Sequence, residues 1–65
     1  MLVKTYRLGR MRVCDLRYLE SNQQYAVVLY ACNLGFPCES REEGERFAER
    51  LVEEERAELS ARKAG

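Results

Sequence analysis

Histidine and tryptophan are absent from this chain of 65 residues, which holds a single proline and three cysteines. Without histidine, a cysteine nucleophile lacks its usual general base. A structural zinc site usually takes four cysteine or histidine ligands, so three cysteines cannot complete one. The sequence also contains no glycine-rich phosphate-binding loop. We therefore predict no catalytic residues, no metal site and no cofactor, and we expect a protein that is not an enzyme.

A long apolar run is also missing, and the cysteine count is odd. No segment approaches the roughly 20 apolar residues that a membrane helix needs, and basic residues interrupt the N-terminal segment, unlike a signal peptide. Three cysteines without CxxC spacing favour a reducing compartment. We expect a cytoplasmic protein with free thiols and no membrane association, although Cys32 and Cys38 could pair if the turn at Pro37 folds back.

Small size limits how much core the chain can build. A protein of this length buries only about 60% of its unfolded surface, and small domains often recruit disulfides, metals or a second subunit. The apolar fraction of 46% nevertheless argues against disorder. We predict one folded domain, residues 1–65, that is assisted by a partner or by a second copy.

Alternating apolar residues predict three strands in the first half of the chain, at about 2–8, 11–19 and 24–32. Gly9 and Arg10 suit a tight turn between the first two. The second strand changes phase near Val13 and Cys14. A β-bulge would reconcile the two phases, whereas partial burial of both faces would make a bulge unnecessary, and the pattern does not decide between them.

The third strand is apolar on both faces, which usually means that both faces are covered. One helix can cover only one face, so a homodimer through strand 3, or pairing at its edge, would cover the other. The alternative is that Ala26 and Tyr30 tolerate exposure. The residues predicted for a dimer or sheet-edge contact are Tyr25, Val27, Leu29 and Tyr30.

A proline and a capping box predict the change from strand to helix. Pro37 should end the third strand by Phe36, because it has no amide to donate. Ser40 and Glu43 then form a capping box, which predicts a helix at about 41–61, with 62–65 frayed. Gly44 lies on the apolar stripe of that helix, so close approach to the sheet is expected. The predicted fold is α+β, a three-stranded antiparallel meander followed by one C-terminal helix on one face.

The net charge is zero, but the two signs are separated along the chain. Residues 1–19 hold five basic side chains and one acidic side chain, Asp15, which we expect to pair with Arg17 or Arg12. Residues 39–58 hold nine glutamates against four arginines. The sequence therefore predicts a basic sheet and an acidic helix.

The segment LGFPCESREEGERFAERL resembles the joint between sheet and helix in AP2-type transcription-factor domains and in the arm-binding N-terminal domain of phage integrases. The matching positions are Leu34, Gly35, Phe36, Ser40, Glu42, Glu43, Phe47 and Ala48. The resemblance implies that the sheet face away from the helix reads DNA, and the residues it would use here are Arg7, Arg10, Arg12 and Arg17. The tryptophan typical of that family's sheet is absent, and strand 3 has no basic residue.

Charge and size favour protein binding as the first functional hypothesis. A pI near 6.3 is below that of most duplex-binding domains, and an acidic helix suits a basic groove on a partner. In size and charge layout the chain resembles phage-encoded or mobile-element inhibitors that block nucleic-acid-binding complexes, such as anti-CRISPR proteins. The helix residues predicted to bind the partner are Glu45, Glu49, Glu53 and Glu54. DNA binding by the sheet face is the alternative.

Overall fold

Four antiparallel strands form one open sheet, and a single helix packs on one of its faces. The computed structural model describes residues 1–64, with side chains through Arg62. The elements are β1 (Leu2–Leu8), β2 (Met11–Leu19), β3 (Gln24–Leu29), β4 (Gly35–Cys38) and α1 (Arg41–Ala64), and the strand order is β1-β2-β3-β4. The predicted α+β class and meander are confirmed, but the number of strands is four rather than three.

The strand β4 corrects the prediction that residues 24–32 form one strand and that strand structure ends by Phe36. The chain leaves β3 after Leu29, turns, and returns as β4, which pairs antiparallel with β3. Pro37 is part of this pairing and lies opposite Ala26. The Leu29 amide donates to the Leu34 carbonyl. Because bonded and non-bonded pairs alternate in an antiparallel ladder, the nitrogen of Pro37 faces the free edge of the sheet, where no donor is needed.

A β-bulge at Val13 explains the phase change in β2. Tyr6 pairs with Cys14, whereas the next residue, Arg7, pairs with Arg12, so Val13 is left without an opposite residue on β1. Val13 packs against the core, as its neighbour Cys14 does. The sequence allowed either a bulge or partial burial of both faces of this strand, and the structure shows the bulge.

The core lies between the sheet and the first half of α1. Leu16, Val27 and Ala48 have no exposed surface. Gly44 sits so close to the sheet that a Cβ atom there would lie 2.5 Å from Cδ1 of Leu16. The predicted close approach is thus confirmed. The buried core residues are Tyr6, Cys14, Leu16, Val27, Cys38 and Ala48.

The start of α1 follows from its local sequence, and its second half has few core contacts. The Glu43 amide donates to Oγ of Ser40, as the capping box predicts. The Glu43 carboxylate accepts from the Glu39 amide, one residue before the expected Ser40 amide. Core packing along the helix stops at Val52, while the helix reaches Ala64, past the predicted end at 61. Gly65, also predicted to fray, lies outside the described residues. No helix within residues 1–64 is long and apolar enough to cross a membrane.

The three cysteines are free, and they differ in burial. Burial raises the pKa of the Cys14 thiol to about 11, with a smaller contribution from the charge of Asp15. Burial also raises the pKa of Cys38, and Cys32 is exposed. The pairing of Cys32 with Cys38 does not occur.

In the native protein at about pH 8 we expect only Cys32 to react rapidly with a thiol reagent, because only exposed thiolates attack. In urea, where Cys14 and Cys38 are exposed as well, all three thiols should react. Mass spectrometry after short labelling checks this. Cys32→Ser should abolish the fast reaction, and rapid labelling of the folded Cys32→Ser variant would contradict the burial of Cys14 and Cys38.

Candidate functional site

The sheet face opposite the helix carries a group of polar and charged side chains, here called the open face. Its membership follows from strand alternation and register. Asp15 lies between Thr5 on β1 and Val28 on β3, and its neighbour Leu16 points to the helix. The open face comprises Thr5, Arg7, Arg12, Asp15, Arg17, Ala26, Val28 and Tyr30.

Asp15 is the centre of this face, and it is buried, with 5% of its surface exposed. The Thr5 hydroxyl donates to its Oδ1 atom at 2.8 Å, and the Tyr30 hydroxyl donates to Oδ2 at 2.7 Å. Hydrogen bonds to an ionised carboxylate are short and strong. The Asp15 carboxylate therefore fixes side chains from β1 and from the β3–β4 turn on the surface of β2.

Three exposed arginines surround Asp15 on the open face. The Arg17 guanidinium lies 3.8 Å from Oδ2 of Asp15, so the expected ion pair with Arg17 forms, although it is weaker than the two hydroxyl contacts. The Arg12 guanidinium lies 5.7 Å from the centre of the Tyr30 ring, a cation–π distance. Arg7 is directly opposite Arg12.

The bulge at Val13 is what brings Arg12 to this face. In a regular strand Arg12 would point the same way as Cys14, toward the helix, because side chains two apart share a face. The extra residue reverses that alternation and places Arg12 opposite Arg7. Arg10, the fourth predicted residue, lies in the turn between β1 and β2 and not on the sheet.

A surface depression of about 420 Å³ lies at one side of the open face. Val28 supplies apolar surface to it, Asp15, Arg17 and Asn33 supply hydrogen-bonding groups, and Tyr30 forms an aromatic wall. Asn33 has a φ of 56°, a left-handed conformation that asparagine tolerates better than most residues. The depression thus combines an aromatic ring with donors and acceptors.

Three of the four acidic residues predicted for partner binding follow one row of α1, and the fourth lies off that row. With about 3.6 residues per turn, Glu45, Glu49 and Glu53 follow one flank of the helix, and Glu54 lies on the other. Burial raises the pKa of Tyr6, and the charges of Glu45 and Glu49 raise it further, so this flank adjoins β1. Arg41 lies 3.9 Å from Glu45, and Arg56 lies 2.5 Å from Glu53.

The residues predicted for a sheet-edge contact lie elsewhere than expected. The strand β3 is interior, because β2 and β4 pair with its two sides, so the edge interpretation is wrong. Tyr25, Val27 and Leu29 point to the helix side, where Tyr25 contacts Tyr18 with ring centres 5.0 Å apart. Only Tyr30 reaches the open face. Homodimer formation stays a prediction.

Sequence reasoning did not assign a functional role to Thr5, Val28 or Asn33. Their positions depend on register and on the β3–β4 turn, and a single sequence specifies neither. Asp15 marks this site more clearly in the sequence than those three residues do, because a lone carboxylate within an apolar strand requires hydrogen-bonding or charged partners. Those partners include two hydroxyls 10 and 15 residues away in sequence.

Comparison with known proteins assigns no family to the chain. No protein-family model, curated protein or solved structure matches it. Among the described residues, no three carboxylate or thiol side chains form a group that could hold a metal ion.

Proposed function

We propose that the protein binds nucleic acid through the open face, with Arg7, Arg12 and Arg17 contacting the phosphate backbone. The observation that supports this most directly is the position of three exposed arginines on one sheet face while the glutamate-rich helix packs on the other. Guanidinium groups bind phosphate oxygens in a bidentate geometry. The only acidic side chain assigned to the open face, Asp15, is buried and already accepts two hydroxyl hydrogen bonds.

A neutral net charge is unusual for a nucleic-acid-binding protein, but here the two signs of charge lie on opposite sides of the sheet. Charges at the surface are screened over about 8 Å at physiological ionic strength, and the sheet itself lies between the open face and the glutamates of α1. A phosphate at the open face therefore interacts mainly with the arginines and little with the glutamates behind the sheet. Local charge, rather than net charge, sets the attraction.

Three phosphate contacts predict modest affinity with a measurable salt dependence. The logarithm of the binding constant should fall with the logarithm of salt concentration with a slope of about −2 for single strands and about −3 for duplex. Each arginine removed should reduce the magnitude of this slope by about 1, because one phosphate contact is lost. This slope is the quantitative expectation of the proposal.

The Arg7/Arg12/Arg17→Ala variant is expected to lose binding to a fluorescent oligonucleotide at low salt, by at least about 100-fold, as measured by anisotropy. The matched control is Arg41/Arg46/Arg50→Ala, which removes the same charge from exposed positions of α1. Equal losses in the two variants would contradict a role for the open face. No binding by the folded wild type at low salt would defeat the proposal.

A second proposal is protein binding by the acidic helix, as an inhibitor that occupies a basic nucleic-acid-binding surface. It is favoured by the alignment of Glu45, Glu49 and Glu53 on one flank, and weakened by the arginines beside two of them. Glu49→Lys should abolish competition with nucleic acid for such a partner. Glu54→Lys, on the other flank, should preserve it, and equal behaviour of the two variants would refute the flank as the contact.

A further inference from the structure

We propose that the depression beside Tyr30 takes one unstacked base, so that the open face prefers single-stranded nucleic acid to duplex. This inference rests on the proposed function and adds a ligand class to the same site. The arginines account for attraction to any phosphate backbone, single or double. The depression accounts for a selection between the two.

The lining of the depression matches the chemistry of a base. Its volume of about 420 Å³ is within the roughly 300–1,000 Å³ that is typical of small-molecule pockets. Val28 offers apolar surface to a flat face of a base, and Tyr30, which is 43% exposed, offers a ring for stacking. Asn33 and Arg17 offer donors, and Asn33 and Asp15 offer acceptors, to the edge of a base.

The aromatic wall is held in place before any ligand arrives. The Tyr30 hydroxyl is bound to Asp15 at 2.7 Å, and the Tyr30 amide donates to the Val13 carbonyl at 3.2 Å. Both ends of the residue are thereby attached to β2. A ring that is fixed in advance loses little conformational entropy when a base stacks on it.

Cations adjoin the depression, where the phosphates on either side of an inserted base would pass. Arg17 lines the depression, and Arg12 lies against the Tyr30 ring. A base in duplex is stacked on both faces and cannot enter without being flipped out of the helix. In a single strand the same base is free to stack on an aromatic side chain, with little dependence on sequence.

Binding of four ligands of equal length to the wild-type protein tests the inference: single-stranded DNA, single-stranded RNA, duplex DNA, and an abasic strand that keeps the phosphates. Single strands are expected to bind about 10-fold more tightly than duplex and than the abasic strand. The DNA and RNA arms identify the source of the strand, and preference for either one supports the inference. Duplex or abasic binding as tight as that of single strands overturns it and leaves the proposed function standing.

Variants of the aromatic wall give a second, independent measurement. Tyr30→Ala should weaken single-strand binding about 10-fold and change abasic binding less than twofold, while Tyr30→Phe, which keeps the ring but loses its hydrogen bond to Asp15, should give a smaller loss of single-strand affinity than Tyr30→Ala. Equal affinity of Tyr30→Ala and wild type for single strands overturns the inference. Asn33→Gly, which suits the left-handed backbone, should also weaken single-strand binding only. Absence of binding to all four ligands defeats the proposed function itself.

Discussion

Gly44→Val is expected to lower the free energy of unfolding by about 2–3 kcal/mol, since it inserts a branched side chain where sheet and helix touch. A Cβ at this position would lie 2.5 Å from Cδ1 of Leu16, and Leu16 is fully buried. The leucine cannot move aside without displacing other core atoms, because protein interiors are close-packed. For a chain of this size, whose total stability is on the order of 3–10 kcal/mol, the loss is large.

Urea denaturation followed by circular dichroism measures this effect, and Ala57→Val is the matched control. Ala57 is an exposed position of the same helix, so the control carries the cost of a β-branched residue, a few tenths of a kcal/mol, without the overlap. Adding Leu16→Val to Gly44→Ala should cost less than the sum of the two single changes, because the shorter side chain relieves the contact. Strict additivity would show that the two residues do not touch.

The helix could be predicted from sequence because its determinants are local. Ser40 and Glu43 are three residues apart, and the stripe that packs on the sheet repeats along one helix. The strand β4 could not be predicted, because it has only four residues and includes Pro37. Proline is excluded from interior strands and tolerated at edges, and edge position is a property of the assembled sheet.

The residues of the open face were likewise only partly predictable, because the side on which a side chain lies depends on the assembled sheet. Arg12 belongs to it only because the bulge at Val13 changes the alternation of β2, and the sequence left the bulge undecided. Glu54, which the sequence prediction groups with Glu45, Glu49 and Glu53, also depends on geometry. Helical periodicity places it about 100° around α1 from Glu53, off the row that Glu45, Glu49 and Glu53 follow.

Asp15→Ala is expected to destabilise the fold by about 2 kcal/mol and to reduce the preference for single strands. Two hydrogen bonds to the carboxylate are lost, and bonds to charged groups contribute about 1.5–3 kcal/mol each. Relief of the cost of burying a charge offsets part of this loss, and the exposed Tyr30 hydroxyl can bind water instead.

A double-mutant cycle of Asp15→Ala with Tyr30→Phe isolates the hydrogen bond, with an expected coupling energy of about 1–2 kcal/mol in urea denaturation. A coupling near zero would show that Asp15 does not hold Tyr30. Oligonucleotide binding by the same variants separates two roles of the carboxylate. If Asp15 acts only as a negative charge, its removal strengthens binding to every polyanion. If it positions Tyr30, duplex and abasic binding rise slightly while the advantage of single strands shrinks in Asp15→Ala and in Tyr30→Phe alike, because in both variants the ring has lost the hydrogen bond that holds it beside the depression.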